Sequence, residues 1–179
     1  MTRPPIPEAF ETARLRAERL RPEHADLIHA MHQDPVHMAT LGGVRTAEQS
    51  GEYMQRNLQH WADHGFGVWL LRDRESGRVA GRVLLRYLEL NGTTEVEVGY
   101  GLLPEFWGQG LAAEAAGRCL EIGRDALKLT RVIAVTSPDN VRSRRVMEKL
   151  GMVHEGEGVH AGLPHVRYAI GLRPRVPSA

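Results

Sequence analysis

Two glycines one residue apart, Gly108 and Gly110, sit where a strand-like run gives way to an alanine-rich helical run, and this junction constrains the chain more than any other feature. The run before it, Thr94-Glu-Val-Glu-Val-Gly-Tyr-Gly-Leu102, alternates in strand fashion, with Glu95, Glu97 and Gly99 on one face and Val96, Val98 and Tyr100 on the other. The run after it starts at Leu111-Ala-Ala113 and continues with small residues to about Leu127. A helix that begins at such a turn presents unpaired main-chain N–H groups and about half a positive charge, and glycines let an anion approach the backbone closely. A pyrophosphate is the natural ligand. Gly108-x-Gly110-x-x-Ala113 also has the spacing of a dinucleotide-binding fingerprint, and a blander alternative is that the glycines only shape the turn. Three features oppose the dinucleotide reading. The strand before the loop carries acids where a doubly wound sheet is apolar, Pro104 to Trp107 lengthens the turn, and the next strand ends in Val135-Thr136 without an acid for a ribose.

Around this junction the pattern alternates between strands and helices. Leu15–Leu20, Phe66–Arg72, Val79–Leu88, Arg131–Thr136, Val153–Val159 and His165–Leu172 are predicted strands, the second and third joined by a polar hairpin segment, Asp73-Arg-Glu-Ser-Gly77. Asn91-Gly92 is the turn leading into the strand that carries the acids. Pro22-Glu23 opens a helix with Ala25, Ile28 and Met31 on its apolar side. Thr46-Ala-Glu-Gln caps another that runs to about His64, with Tyr53, Leu58 and Trp61 facing inward. Ser137-Pro-Asp-Asn140 starts a last helix, whose Val146, Met147 and Leu150 form the apolar face and which stops at Gly151.

The chain has 179 residues, room for one domain, and 23 basic residues balance 22 acidic ones, so nothing in the bulk charge calls for nucleic acid or an anionic membrane as partner. Only Lys128 and Lys149 are lysines. A single cysteine, Cys119, and a short proline-rich start without a charged-then-apolar leader fit a reducing cytoplasm, and no apolar run reaches the roughly 20 residues of a membrane helix.

Taken together, Glu11-Thr-Ala-Arg-Leu15, Glu97-Val-Gly-Tyr100, Trp107-Gly-Gln-Gly110 and Asn140-x-x-Ser143, in this order over about residues 9 to 172, resemble the GNAT acetyltransferase superfamily, in its branch of ribosomal-protein N-terminal acetyltransferases (RimJ and RimL). The resemblance implies an α+β (mixed α/β) GNAT fold in a single domain over residues 1–179. Its twisted, mostly antiparallel sheet would have about seven strands, splayed between the fourth (Thr94–Leu102) and the fifth (Arg131–Thr136), with about four flanking helices. It implies acetyl-CoA as cosubstrate, no metal, and an amine acceptor that is a small molecule or a protein N-terminus, and it allows a homodimer.

The resemblance also assigns residues. Trp107, Gly108, Gln109, Gly110, Leu111, Ala112 and Ala113 cradle the CoA diphosphate, with Trp107 standing where the superfamily carries Gln or Arg. Pantetheine runs along the main chain of Gly101, Leu102 and Leu103, with an N–H near Leu102 or Leu103 polarising the thioester carbonyl, and Asn140 holds the pantetheine amide. Glu97 is the expected base, with Glu95 second. Because Met147 stands where many members carry the tyrosine that protonates the departing thiolate, Ser143 takes that role. An acyl-CoA-binding module without catalysis is the competing function, and a dinucleotide-dependent oxidoreductase a more distant one. His29, His32, His60 and His64 read as surface or helix-end residues rather than metal ligands, Cys119 as a small buried hydrophobe, and Trp61 and Trp69 as packing residues.

Overall fold

The computed structural model describes residues 5–90, 92–160 and 162–173. The first four residues and Asn91, half of the expected Asn91-Gly92 turn, lie outside the described residues.

Eight strands form one sheet: β1 (Ala9–Glu11), β2 (Leu15–Arg19), β3 (Val68–Asp73), β4 (Val79–Leu90), β5 (Thr93–Leu102), β6 (Arg131–Thr136), β7 (Val153–His160) and β8 (Leu163–Gly171). Their spatial order is β1-β2-β3-β4-β5-β6-β8-β7. Every neighbouring pair is antiparallel except β5 and β6. The sheet therefore has one strand more than the sequence suggests, because the three residues of β1 are too few to show a period. Five helices flank it: α1 (Ala25–Gln33), α2 (Pro35–Met38), α3 (Ala47–His64), α4 (Leu111–Asp125) and α5 (Val141–Lys149). The unforeseen one is α2, a single turn capped by Asp34, whose carboxylate accepts from the amides of Val36 and His37 at 2.8 and 3.0 Å.

The two sheet faces are covered differently. Val83, Leu85, Val96 and Val98 pack against α4, where Ala115, Ala116 and Cys119 leave no exposed surface and let the helix approach closely. Val68, Leu70 and Leu84 face the other way, against Ile28 and Met31 of α1 and Tyr53 and Met54 of α3. Helix α3 begins as its sequence foretells: Thr46 Oγ1 accepts from the Gln49 amide at 3.2 Å and the Gln49 side chain accepts from the Thr46 amide at 2.9 Å. Trp61 and Trp69 meet edge-to-face with centroids 5.2 Å apart.

Two irregularities shape the middle of the sheet. Strands β5 and β6 are in register at Glu97 and Ile133. Beyond that pair, toward Gly101 on one strand and Thr136 on the other, no further register partners join them, so the sheet opens there. Strand β4 carries the second, a bulge beside Gly81, whose φ of +144° is a glycine conformation. A Cβ at Gly81 would stand 2.7 Å from Leu102 Cα, so the bulge brings β4 hard against the end of β5. Gly81→Ala is expected to lose at least about 2 kcal/mol of stability, from backbone strain plus this clash, read as a lower urea midpoint at unchanged m-value.

Candidate functional site

The loop before α4 is built to offer donors. Pro104–Phe106 makes one 3-10 turn, Trp107 is extended, and Gly110, at φ +78°, is the N-cap of α4 with no side chain to close the helix end. The amides of residues 108–113 find no hydrogen-bond acceptor among the described residues. These amides lie in the turn before α4 and in its first turn, at the positive end of a helix 15 residues long.

Cations rim this loop. A Cβ at Gly110 would lie 3.5 Å from Lys149 Nζ and 3.7 Å from an Arg14 guanidinium nitrogen. Arg14 donates to the Gln109 carbonyl at 2.9 Å and pairs with Glu114, which also accepts from the Arg14 amide and from Thr12. Thr12 and Arg14, two residues of the Glu11-to-Leu15 segment, thus brace the loop from 95 to 102 residues away in sequence. Arg142 lies over the Trp107 ring at 4.0 Å, and the Trp107 indole donates to the Leu102 carbonyl at 2.7 Å, so Trp107 ties the loop to the strand end.

Near the end of β5, Tyr100 meets α5, which is capped by Asn140 and carries Ser143. Tyr100 Oη is 3.0 Å from the Ser143 carbonyl and 3.1 Å from Ser143 Oγ, and burial pushes the phenol pKa up to about 12. Asn140 caps α5, its side-chain oxygen accepting from the Ser143 amide at 3.1 Å, which leaves the amide nitrogen of the side chain as its donor. One expectation needs correction. The Leu103 amide donates to the Ala80 carbonyl at 2.9 Å, because the Gly81 bulge carries β4 against it, and so it is not available to a thioester. Successive N–H groups of a strand point to opposite edges, which leaves Leu102 as the donor of the pair on the open side.

On the opposite sheet face Glu97 is buried at 5% exposure and accepts from Arg86 Nε at 2.8 Å. The carboxylate in turn holds Arg86 more firmly charged. Glu95 belongs to a different group, a surface network with Arg131 at 2.9 Å and Arg167 at 3.9 Å. His37, on α2, was not singled out by its sequence context. Its Nδ1 lies 2.9 Å from the Leu102 carbonyl and therefore carries the proton, so Nε2 holds a lone pair that is buried and without a partner among the described residues. Burial, and next the nearby Arg82 charge against the Leu102 bond that opposes both, hold its pKa below the usual histidine value. The ring stands beside the strand end: a Cβ at Gly101 would be 3.3 Å from His37 Cε1.

His32 is the clearest departure from a surface histidine. It is fully buried, with Nδ1 3.0 Å from Ser50 Oγ and Nε2 3.2 Å from Arg45, and burial first, Arg45 second, lower its pKa to about 3. A depressed folded-state pKa means the unfolded chain binds the proton more tightly, so stability is complete above about pH 6.5 and is lost as pH falls toward 3. From pH 7 to pH 5, His32 alone is expected to remove about 2 kcal/mol, and His32→Asn to flatten that part of a denaturation series. A pH-independent wild-type midpoint would contradict a neutral buried His32.

Residues 14–153 match the model of the acetyltransferase (GNAT) domain family. The chain belongs to the GNAT acetyltransferase family. The chain is 30% identical over 130 residues to the uncharacterized protein YkkB of Bacillus subtilis, covering 73% of this chain and 76% of that one. It is 35% identical over 155 residues to an uncharacterized N-acetyltransferase, p20, of Bacillus licheniformis, covering 83% and 84%. Its fold matches that of RimL, a ribosomal L7/L12 alpha-N-protein acetyltransferase solved in complex with coenzyme A, with a TM-score of 0.74 at 18% identity over 93% and 97% of the two chains. The GNAT family makes this protein an acyltransferase that uses acetyl-CoA, and GNAT enzymes act on amine acceptors. The parted β5 and β6 and the donor-rich loop before α4 lie inside the matched span. No helix among the described residues is long and apolar enough to cross a membrane, and no group of three His, Cys, Asp or Glu among them is arranged to hold a metal.

Proposed function

We propose that this protein moves the acetyl group of acetyl-CoA onto a primary amine by direct attack within a ternary complex, in one cytoplasmic domain. The observation that carries the reading is the set of six unpaired amides at residues 108–113, flanked by Arg14 and Lys149 and set beside the opening between β5 and β6. The diphosphate takes those amides and cations, and the side-chain nitrogen of Asn140 holds a pantetheine carbonyl. The pantetheine arm lies along Gly101 to Leu103, and the Leu102 amide polarises the thioester oxygen. A thiol route through the enzyme is disfavoured: Cys119 is fully buried and burial raises its pKa.

In the attack the amine lone pair bonds to the thioester carbon and the carbon–sulfur bond breaks; the thiolate takes a proton from Ser143, which Tyr100 can resupply through the 3.1 Å contact between their hydroxyls, and the second proton shed by the nitrogen as it becomes an amide passes to solvent, from which Tyr100 is reprotonated. The amine arrives largely protonated at neutral pH, so its proton must leave first. Glu97 is the base, acting through water, from the single strand position at which β5 and β6 are in register. Its carboxylate is held by Arg86 Nε at 2.8 Å; His37, with its free lone pair, is the residue that would replace it if Glu97 proves silent.

RimL's description as an alpha-N-protein acetyltransferase makes a protein α-amine one first acceptor to try, with small amines beside it. The test is release of CoA thiol on mixing the purified chain with acetyl-CoA and an amine panel. Turnover with initial-velocity lines that intersect when acetyl-CoA and amine are both varied is expected. Binding of acetyl-CoA without turnover on any amine would leave only an acyl-CoA sensor, and parallel lines would point to a covalent intermediate.

A further inference from the structure

The buried side-chain atoms without a hydrogen-bond partner among the described residues are His37 Nε2, Tyr53 Oη and Arg82 Nε. They belong to side chains that are 3%, 4% and 6% exposed, and they cluster on one face of the sheet above the end of β5. Arg82 stands opposite Gly101 in the β4–β5 register, and His37 lies against Gly101 and bonds the Leu102 carbonyl. The Tyr53 ring is shared by two guanidinium groups, Arg45 and Arg82, each with its central carbon 5.2 Å from the ring centroid. Neither arginine has a carboxylate partner among the described residues. The acids near them are engaged elsewhere, Glu97 with Arg86 and Asp34 with the amides that start α2. Burial, and after it the Arg82 charge, make Arg45 a stronger acid than a free arginine.

A buried guanidinium, Arg82, beside a half-buried one, Arg45, both without a carboxylate partner, costs stability, and a tyrosine hydroxyl left unpaired beside them adds to that cost. A ligand of opposite sign offsets both, and a guanidinium fork fits the two oxygens of a carboxylate or a phosphate. The face is the one that carries Glu97, so it is the side from which the amine reaches the thioester if the acetyltransferase reading above, on which this inference rests, is correct.

We propose that the space bounded by Arg45, Arg82, Tyr53 and His37 receives an oxyanion of the acceptor, so that the substrate is an amine that also carries a carboxylate or a phosphate. Polyamines and other purely cationic amines are then poor acceptors, because they bring like charge to an uncompensated arginine pair. The arginines bind and orient the acceptor without touching the reacting atoms, and specificity follows from leaving them unpaired when the oxyanion is absent.

The experiment uses the full chain and acceptors in matched pairs at saturating acetyl-CoA: α-amino acids against their primary amides, phosphoethanolamine against ethanolamine, and spermidine as the cationic extreme. The expected result is a kcat/KM at least about tenfold higher for the anionic member of a pair, as loss of one charge-assisted hydrogen bond predicts. The series that responds distinguishes carboxylate from phosphate. Arg82→Gln is expected to bring the ratio within each pair toward one while leaving the KM for acetyl-CoA unchanged. Arg45→Gln, at a half-buried position, gives the same reading should the Arg82 variant fail to fold. Equal or better turnover of amides and spermidine overturns the proposal, as does turnover on no anionic acceptor by a protein that binds acetyl-CoA in calorimetry. Failure to bind acetyl-CoA at all overturns the acetyltransferase reading, and this inference with it.

Discussion

Gly110→Glu is expected to weaken acetyl-CoA binding by about 100-fold or more while the protein stays folded. The substitution forces a side chain onto a backbone at φ +78° and puts a carboxylate within reach of Lys149 and Arg14, which lie 3.5 and 3.7 Å from a Cβ there. The new carboxylate takes the two cations, blocks the amides of residues 108–113, and repels the diphosphate. Losing two charge-assisted hydrogen bonds at roughly 1.5–3 kcal/mol each already exceeds the 2.7 kcal/mol or so that corresponds to 100-fold. Calorimetric titration reads the loss, and far-ultraviolet circular dichroism confirms that the helix remains. Wild-type affinity in this variant would remove the loop from the cofactor site.

The second large effect is expected at Glu97. Glu97→Gln should lower kcat by about 100-fold, the lower range for a general base, with the KM for acetyl-CoA nearly unchanged and the rise of rate with pH flattened. The variant also leaves Arg86, half-buried and paired with the carboxylate at 2.8 Å, without its partner, so part of the loss has a structural origin unless it is controlled. The double variant Arg86→Gln with Glu97→Gln removes the stranded charge; it should regain stability and remain slow. Turnover near wild type in Glu97→Gln, together with a slow His37→Gln, would transfer the base role to His37.

The parts of this site that were readable from sequence are those whose causes are local. Gly108 and Gly110 announce a helix start by spacing, the alanines of α4 announce close packing, and Thr46 with Gln49 announces a capping box, because each pattern involves residues within one or two turns. What escaped reading depends on register and on distant segments. Nothing near Arg14 indicates that it will reach Gln109, and nothing near Arg86 indicates that β4 and β5 will pair Arg86 with Glu97. The Leu103 amide looked free because the bulge at Gly81 is specified by one glycine on the neighbouring strand. His32 was read as a surface or helix-end residue, and its burial comes from α3 folding over it, through Ser50 and Tyr53; His37 was not singled out, because its partner Leu102 lies 65 residues away. Tyr100 was visible as one side of a strand alternation and as the end of the Glu97-to-Tyr100 motif, without a role, and its link to Ser143 follows from the contact of α5 with the end of β5.

A crystal structure of this protein with coenzyme A tests the central claim most directly. The account predicts the diphosphate within hydrogen-bond distance of the amides between Gly108 and Ala113, with Arg14 or Lys149 on its oxygens and the pantetheine arm entering between β5 and β6. A diphosphate bound elsewhere, or an arm that bypasses that opening, would contradict it.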